Sequence, residues 1–229
     1  MSPTDKEAGR QMTPTGSTPT SSASHTAAQG QSRRDEIVRL ASLLFRDMGY
    51  HSATMDKIAE VAGIAKPTLY HYFRSKEEIL FNIHLQYIMP LIESQRARVE
   101  KGVSSTRVVY EVILEHLQVI ADSPGTLQAF IDHQRELSDA RRRQMKENRR
   151  TYRRLVEASF ERDIKLGVIA PCDTRTVAFS LFGVCNWASR AHPRLRVEEV
   201  EDLATQLWRL FVFGTAGPQR NDMHPDDFR

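Results

Sequence analysis

The stretch from Thr54 to Leu80, T-M-D-K-I-A-E-V-A-G-I-A-K-P-T-L-Y-H-Y-F-R-S-K-E-E-I-L, determines the fold. Thr54 suits the N-cap of a short helix that ends at Gly63, because a threonine hydroxyl satisfies a free N–H of the first turn. A second short helix begins at about Lys66, and Ser75 caps a longer helix after it. Two short helices joined by a tight glycine turn are typical of a helix-turn-helix.

An amphipathic helix precedes this stretch. Its apolar residues recur at i, i+3, i+4, i+7, i+8 and i+11, which is the spacing of one helical face. They are Ile37, Leu40, Ala41, Leu44, Phe45 and Met48. Three helices from Arg33 to Phe73 therefore predict a small DNA-binding domain, since the second helix of such a motif fits the major groove.

Residues 1–32 differ in composition from the rest of the chain. Twelve of them are Ser or Thr and three are Pro, and only Met1 and Met12 have sizeable apolar side chains. Such a segment buries too little surface to offset its ordering entropy, so we expect a disordered tail.

The remainder has helical periodicity and no sustained strand alternation. Helices are expected near 104–121, 125–138, 140–167, 173–190 and 197–213. The expected fold class is all-α. Its domains are the disordered tail at 1–32, the helix-turn-helix domain at 33–80, a helical body at 81–215 and a flexible C-terminal tail at 216–229.

Composition excludes several classes of protein. The 32 Lys+Arg and 29 Asp+Glu leave a net charge of only +3, and 40% of the residues are hydrophobic, which suffices for a core. The longest charge-free apolar stretch, Thr176 to Ser189, has 14 residues and is too short to span a bilayer. The N-terminus lacks the apolar segment of a secretory signal. We therefore expect a soluble, cytoplasmic protein that does not associate with membranes.

The sequence has no recognisable catalytic motif. It contains no nucleophile elbow, Walker loop or H-E-x-x-H, and Cys172 and Cys185 cannot form a zinc site alone. His116 and His133 could meet across two helices as metal ligands, but packing histidines are commoner. We expect no catalytic residues, no metal site and no cofactor. A small helical metal- or ligand-binding enzyme is the unfavoured alternative.

The stretch from Thr54 to Leu80 resembles the TetR (tetracycline-repressor-like) family of transcriptional regulators. The family has Thr before its second helix, then A-x-x-A-G-[VI], x-x-[TS]-L-Y-x-[YH]-F and S-K-E-x-[LI], and this chain matches at essentially every position. The resemblance implies base-reading roles for Lys66, Pro67, Thr68 and His71. It implies phosphate contacts from Thr54, Tyr70, Tyr72 and Lys76, although the two tyrosines could instead merely pack.

The resemblance also implies a homodimer on a palindromic, double-stranded DNA operator. In the family the last two helices form an intermolecular four-helix bundle, and Thr176 to Ser189 is apolar nearly all round, as a helix buried on both sides would be. It could also be only the core of its own domain. The region from Arg33 to Leu80 has eight basic and seven acidic residues, which favours a defined operator over nonspecific architectural binding.

In the resembling family an effector binds among the C-terminal helices, and repression is the commoner mode. The pocket residues that we expect, each with ordinary packing as its alternative, are Tyr87, His116, Phe130, His133, Asn186, Trp187 and Arg190. The element G-V-C-N-W from Gly183 to Trp187, with Arg190 and Pro193, is similar to a catabolic branch that responds to acyl-coenzyme A (acyl-CoA) thioesters. A regulator of an efflux or stress gene that responds to a hydrophobic drug-like ligand is the alternative.

A dense basic run lies between Arg141 and Arg154. These 14 residues include eight basic side chains and one acid, Glu147. Helical spacing puts four of them on one stripe, namely Arg142, Lys146, Arg150 and Arg154. Arginine suits bidentate phosphate binding, and CoA carries a diphosphate and a 3′-phosphate. A solvated helix face is the simpler interpretation, and the pattern favours it.

Overall fold

All regular secondary structure is helical in the residues that the structure, a computed structural model, describes: 21–123, 131–192 and 194–214. The helices are α1 (Ser21–Met48), α2 (Met55–Val61), α3 (Lys66–Tyr72), α4 (Lys76–Glu100), α5 (Ser105–Asp122), α6 (Asp139–Lys165), α7 (Thr174–Ala191) and α8 (Val200–Phe213). Short 3₁₀ turns, Gln134–Glu136 and Val197–Glu199, precede α6 and α8. The predicted all-α fold is confirmed. Within the described ranges no helix combines the length and apolarity needed to cross a membrane.

The first helix is longer than predicted. α1 begins at Ser21, so the structure differs from the expected disorder over residues 21–32, while residues 1–20 lie outside the described ranges. The sequence there includes alanines and glutamines, which favour helix, and extending an existing helix costs much less than nucleating one. The described residues from 34 onwards form one compact unit, and those from 21 to 33 belong to another.

A small core in the second unit holds the helix-turn-helix. Its most deeply buried members are Ile37, Ala41, Phe45, Ile58, Leu69 and Phe73. Met48, the last residue of the predicted apolar stripe, is 41% exposed. The stripe therefore contributes to the core only as far as Phe45, and α1 ends at Met48, directly before Gly49, whose φ is +79°.

The long helix α4 joins the helix-turn-helix to the rest of the fold. Its N-cap Ser75 accepts a hydrogen bond from the N–H of Glu78 at 3.1 Å, and the Glu78 carboxylate accepts from the N–H of Arg74 at 2.9 Å. α4 continues through Pro90 to Glu100 as one helix. It crosses the boundary that the sequence predicted between residues 80 and 81, so the two predicted domains share it.

Helices α4 to α8 make up the body. α4 packs on α6, α5 packs on α8, and α7 packs on α5 and α6. The indole Nε1–H of Trp208 on α8 donates to the carbonyl oxygen of Thr106 at 2.9 Å. Arg98 on α4 forms ion pairs with Glu111 and Glu115 on α5. These contacts fix the relative positions of the helices in the body.

Helix α7 is buried on one face only. The face towards the core carries Ala178, Leu181, Cys185 and Ala188. On the opposite face Phe179 and Trp187 are 53% and 55% exposed. Although α7 is apolar nearly all round in sequence, only one of its sides is buried within a single chain, and the described residues leave the other side exposed.

Candidate functional site

The turn before α3 sets the direction in which that helix leaves α2. The N–H of Ile64 donates to the carbonyl oxygen of Ala59, and the N–H of Gly63 to that of Glu60, both at 3.0 Å. This pair of bonds is a Schellman motif, which requires a left-handed residue after the helix. Gly63 supplies it with φ of +64°.

Helix α3 presents one face to the core and the other to solvent. Leu69 is fully buried and anchors the helix. The exposed residues of α3 are Lys66, Pro67, Thr68, Tyr70 and His71, with Tyr72 half-buried. Thr54 is exposed as well, and its hydroxyl accepts a hydrogen bond from the N–H of Lys57 at 3.1 Å, as the N-cap prediction required. The geometry suits entry of α3 into a major groove.

Lys66 has a partner that the sequence analysis did not identify. Its Nζ lies 2.6 Å from Oδ1 of Asp56 on α2. The hydrogen bond to this carboxylate raises the pKa of Lys66, which therefore remains a cation. Both side chains are more than half exposed, so the pair is weak and can exchange for a contact with DNA.

Lys76, predicted to contact phosphate, is engaged inside the helix-turn-helix domain. Its Nζ donates to the carbonyl oxygens of Tyr50 at 2.6 Å and His51 at 3.3 Å, and it lies 4.2 Å from the centre of the Tyr50 ring. Burial lowers the pKa of Lys76. The Lys76 side chain therefore holds the loop between α1 and α2 in place. Its contact with a DNA phosphate stays a prediction, and this contact requires Lys76 to release the two carbonyl oxygens.

A cavity of about 530 Å³ lies in the body among α4, α5, α6 and α7. Its floor is aromatic. The Tyr152 ring stacks against Phe182 with centroids 5.3 Å apart and against His116 at 6.0 Å. Tyr87 meets His116 edge-on at 5.7 Å. The volume and the apolar floor are those of a small-molecule site.

Two polar groups interrupt the aromatic floor. His116 Nδ1 lies 2.7 Å from the carbonyl oxygen of Val112 and so carries the ring proton, which leaves Nε2 as an acceptor. Burial lowers the pKa of His116 and keeps the ring neutral. Tyr152 is only 3% exposed, and its hydroxyl has no hydrogen-bond partner among the described residues. Burial raises the pKa of Tyr152 well above its usual value, so the hydroxyl keeps its proton.

The rim of the cavity is basic. It includes four members of the basic run on α6, namely Lys146, Arg149, Arg150 and Arg153. Arg149 donates to Oε1 of Gln134 at 3.2 Å, and the Arg153 guanidinium lies 5.1 Å from the centre of the Phe179 ring. Burial lowers the pKa of Arg149. Half of the basic run therefore lines the cavity instead of forming only a solvated face.

The linking segment, residues 131–138, borders both the cavity and the helix-turn-helix domain. Oε1 of Glu136 lies 3.1 Å from Nε2 of His51, in the loop before α2. The ring of His133 lies 5.6 Å from that of Tyr50 in the same loop. The linking segment therefore connects the residues that line the cavity to the loop before α2. A displacement of the cavity lining can be transmitted through it to the DNA-reading helices.

Glu77, at the start of α4, extends this contact. Its carboxylate accepts a hydrogen bond from the N–H of Ser138 at 2.9 Å and lies 3.3 Å from the guanidinium of Arg141. Arg142 pairs instead with Asp139. The N-terminal members of the basic run are thus held by carboxylates, and Arg141 helps to join α6 to α4.

Two family models match the chain. Residues 37–83 match the bacterial regulatory proteins of the tetR family, and residues 104–212 match the tetracyclin repressor-like C-terminal domain. The chain belongs to the TetR family. TetR-family proteins are DNA-binding transcriptional regulators and not enzymes, which confirms both sequence predictions.

Relatives of this TetR-family chain agree with the assignment. It is 26% identical over 188 residues to the HTH-type transcriptional repressor KstR2 of Rhodococcus jostii, covering 81% of this chain and 92% of that protein. The crystal structure of AibR in complex with isovaleryl coenzyme A and operator DNA is 25% identical, with a TM-score of 0.61, covering 78% of this chain and 97% of that one. The TetR-family regulator PfmR from Thermus thermophilus shares the fold, with 24% identity, a TM-score of 0.69 and coverage of 79% and 99%.

The TetR-family cavity contains some of the predicted effector residues. Tyr87, His116 and Asn186 line it, and Phe130 lies outside the described residues. The sequence analysis missed Tyr152 and two aromatic residues of α7 that line the cavity, Phe179 and Phe182. One available signal was that Tyr152 is the only aromatic side chain within the basic run from Arg141 to Arg154.

Three predicted effector residues do not line this TetR-family cavity. His133 packs on the loop before α2, Trp187 is 55% exposed beside His192, and Arg190 lies 3.5 Å from Asp132 at the surface. The rotation of α7 about its axis turns Trp187 and Arg190 away, whereas His133 lies on the linking segment and faces the loop before α2. Among the described residues no group of three His, Cys, Asp or Glu could hold a metal ion.

Proposed function

We propose that this TetR-family chain is a homodimeric, cytoplasmic repressor that an acyl-CoA thioester of a catabolic pathway releases from a palindromic operator. The observation that carries the effector class is the cavity, in which an aromatic floor ends at a basic rim. In this proposal α3 reads bases through Lys66, Pro67, Thr68 and His71. The phosphate contacts come from Thr54, Tyr70, Tyr72 and Lys76.

Apolar side chains that stay partly exposed on the last two helices, within the described part of the chain, support the dimer. The side chains concerned, each about half exposed, are Phe179, Trp187, Leu210 and Phe213. Apolar side chains of this size are stabilised by burial against a second copy. Two-fold association through α7 and α8 also matches a palindrome, in which the two α3 helices lie about one DNA turn apart, roughly 34 Å.

The division of the cavity supports a ligand with an apolar part and a polyanionic part. Aromatic rings at the floor suit an acyl chain, and the rim residues Lys146, Arg149 and Arg150 suit the phosphates of CoA. The similarity to AibR, which was crystallised with isovaleryl coenzyme A, agrees with this class. A neutral drug-like ligand would fill the floor but would gain no charge-assisted contact from the cations of the rim.

The linking segment supplies a physical route for release. Arg149 and Gln134 line the cavity and are joined by a hydrogen bond. On the same segment as Gln134, Glu136 and His133 contact the loop before α2. A ligand anion that draws Arg149 away from Gln134 would shift the linking segment and favour a different spacing of the two α3 helices. By linkage, the effector lowers operator affinity only by its differential affinity for the two states.

Release of operator by thioesters tests the effector class. An operator is selected from random double-stranded DNA, and the complex is titrated with CoA thioesters of increasing acyl length, with the matching free acids and with CoA alone. Fluorescence anisotropy is expected to show release by a thioester at a concentration at least about tenfold below that of its free acid. Equal potency of acid and thioester, or no release by any thioester, would contradict the proposal.

A charge-matched pair of variants localises the CoA moiety. Lys146→Ala with Arg150→Ala removes two cations of the rim and is expected to weaken thioester binding about tenfold or more. The control, Arg143→Ala with Arg154→Ala, removes the same charge from α6 at positions that do not line the cavity. An equal loss in both variants would indicate a general charge effect.

Weakening the contacts between the linking segment and the helix-turn-helix domain is expected to leave effector binding intact and to reduce the release of operator DNA. Glu77→Gln with Glu136→Gln weakens the contacts to Ser138, Arg141 and His51. Effector affinity, measured by calorimetry, should stay within about twofold, while the effector-induced loss of operator affinity shrinks about three- to tenfold. Glu161→Gln, an exposed position on α6, is the control. Unchanged release in the double variant would exclude this route.

A further inference from the structure

The hydroxyl of Tyr152 is an unusual group within the cavity. It belongs to a side chain that is 3% exposed, in a residue that is one of those lining the cavity, and the hydroxyl has no hydrogen-bond partner among the described residues. A buried hydroxyl without a partner loses its hydration and gains nothing in return. Such a group in a ligand-sized cavity indicates that the occupant supplies the missing partner.

The surrounding side chains do not satisfy this hydroxyl. His116 has an acceptor lone pair on Nε2, but that lone pair lies in the plane of the imidazole. The two rings lie with 27° between their planes and centroids 6.0 Å apart, and no hydrogen bond joins this lone pair to the Tyr152 hydroxyl. Phe182, whose ring centroid lies 5.3 Å from that of Tyr152 and 6.3 Å from that of His116, has no polar side-chain atom to offer.

The missing partner must be an acceptor in largely apolar surroundings. In a CoA thioester the carbonyl oxygen lies between the acyl chain and the long polar carrier, and it accepts hydrogen bonds without donating any. The aromatic floor and the basic rim meet at Tyr152, because this residue follows Arg149 and Arg150 on α6 and precedes Arg153. The junction between the two halves of the ligand therefore coincides with the junction between the two halves of the cavity.

We infer that the hydroxyl of Tyr152 donates a hydrogen bond to the thioester carbonyl oxygen of the effector, which makes Tyr152 a specificity-determining residue for acyl groups over alkyl groups. The inference rests on the proposed effector class and adds the atom that is recognised. A ligand that lacks this carbonyl fills the same space but leaves the hydroxyl unpaired.

Two matched probes isolate the carbonyl. Octanoyl-CoA has it, and S-octyl-CoA replaces it with a methylene group while keeping the chain length and the CoA moiety. Calorimetry on the full chain is expected to show that the wild type binds octanoyl-CoA about tenfold more tightly than S-octyl-CoA. Tyr152→Phe should lose about tenfold in affinity for octanoyl-CoA and keep its affinity for S-octyl-CoA.

Tyr110→Phe is the matched control, since Tyr110 packs against Trp208 on α8 and does not line the cavity. An equal loss for both probes in Tyr152→Phe would assign the residue a packing role and overturn the inference. No loss for either probe would also overturn it, because the hydroxyl would then be satisfied by water. If neither probe binds the wild type, the proposed effector class itself fails. Binding of both probes with no preference contradicts only the role of the hydroxyl.

Discussion

Replacing Lys66 and Tyr70 together with alanine is expected to reduce operator affinity on the order of a thousandfold. Lys66 stands at the leading end of α3 and is the proposed guanine contact, and Tyr70 is the proposed phosphate contact on the same exposed face. Each contact occurs twice in a dimer, so the loss is counted in both half-sites. Fluorescence anisotropy with the selected operator at fixed salt measures it.

The double variant should remain folded, because neither side chain contributes to the core. Tyr70 is 44% exposed, and the ion pair of Lys66 with Asp56 is exposed on both sides. The thermal midpoint is therefore expected to stay within about 2 °C of the wild type. Lys101→Ala, at the far end of α4, controls for the loss of one positive charge. An operator affinity within threefold of the wild type would contradict the assignment of α3 as the recognition helix.

Phe73→Ala is expected to lower the free energy of unfolding by about 3–5 kcal/mol. The ring is fully buried, and the guanidinium of Arg34 lies 4.1 Å from its centre while also donating to the carbonyl oxygen of Tyr72. Removing the ring leaves a cavity beneath the end of α3 and removes the surface on which Arg34 rests. For a chain of this length the thermal midpoint should fall by roughly 10 °C.

Thermal scans followed by circular dichroism and by tryptophan fluorescence measure this effect. Trp187 and Trp208, the only tryptophans, both lie in the body, so coincident transitions would show that the helix-turn-helix domain and the body unfold together. Met48→Ala is the control, since Met48 is 41% exposed and lies at the end of α1. A midpoint shift no larger than that of the control would disprove a dominant role for the Phe73 ring.

The helix-turn-helix could be predicted because local rules determine it. A threonine cap, a glycine with positive φ and a proline in the first turn act within a few residues of where they stand. The structure has Thr54 capping α2 and Gly63 in the left-handed region, as the sequence indicated. The exception is α1, which extends back to Ser21 because helix propagation does not stop where the apolar stripe stops.

The cavity could be predicted only in part. Periodicity indicates which face of a helix is apolar, but it does not indicate which neighbour that face meets. His133 and Trp187 have the composition of pocket residues and lie elsewhere, while Tyr152, inside a strongly basic run, lies at the centre of the aromatic floor. Membership of the cavity depends on the rotation and crossing of four helices that are distant in the chain.

The sequence by itself determined the all-helical fold, the helix-turn-helix and the family, because caps, turns and periodicity are local properties. Only the tertiary structure decided which groups the charged side chains contact. It pairs Lys66 with Asp56 and divides the basic run between the contact of Arg141 with Glu77 and the rim around Arg149. The physical reason is that an ion pair or a cavity depends on distances between separate helices, which packing of the whole core fixes.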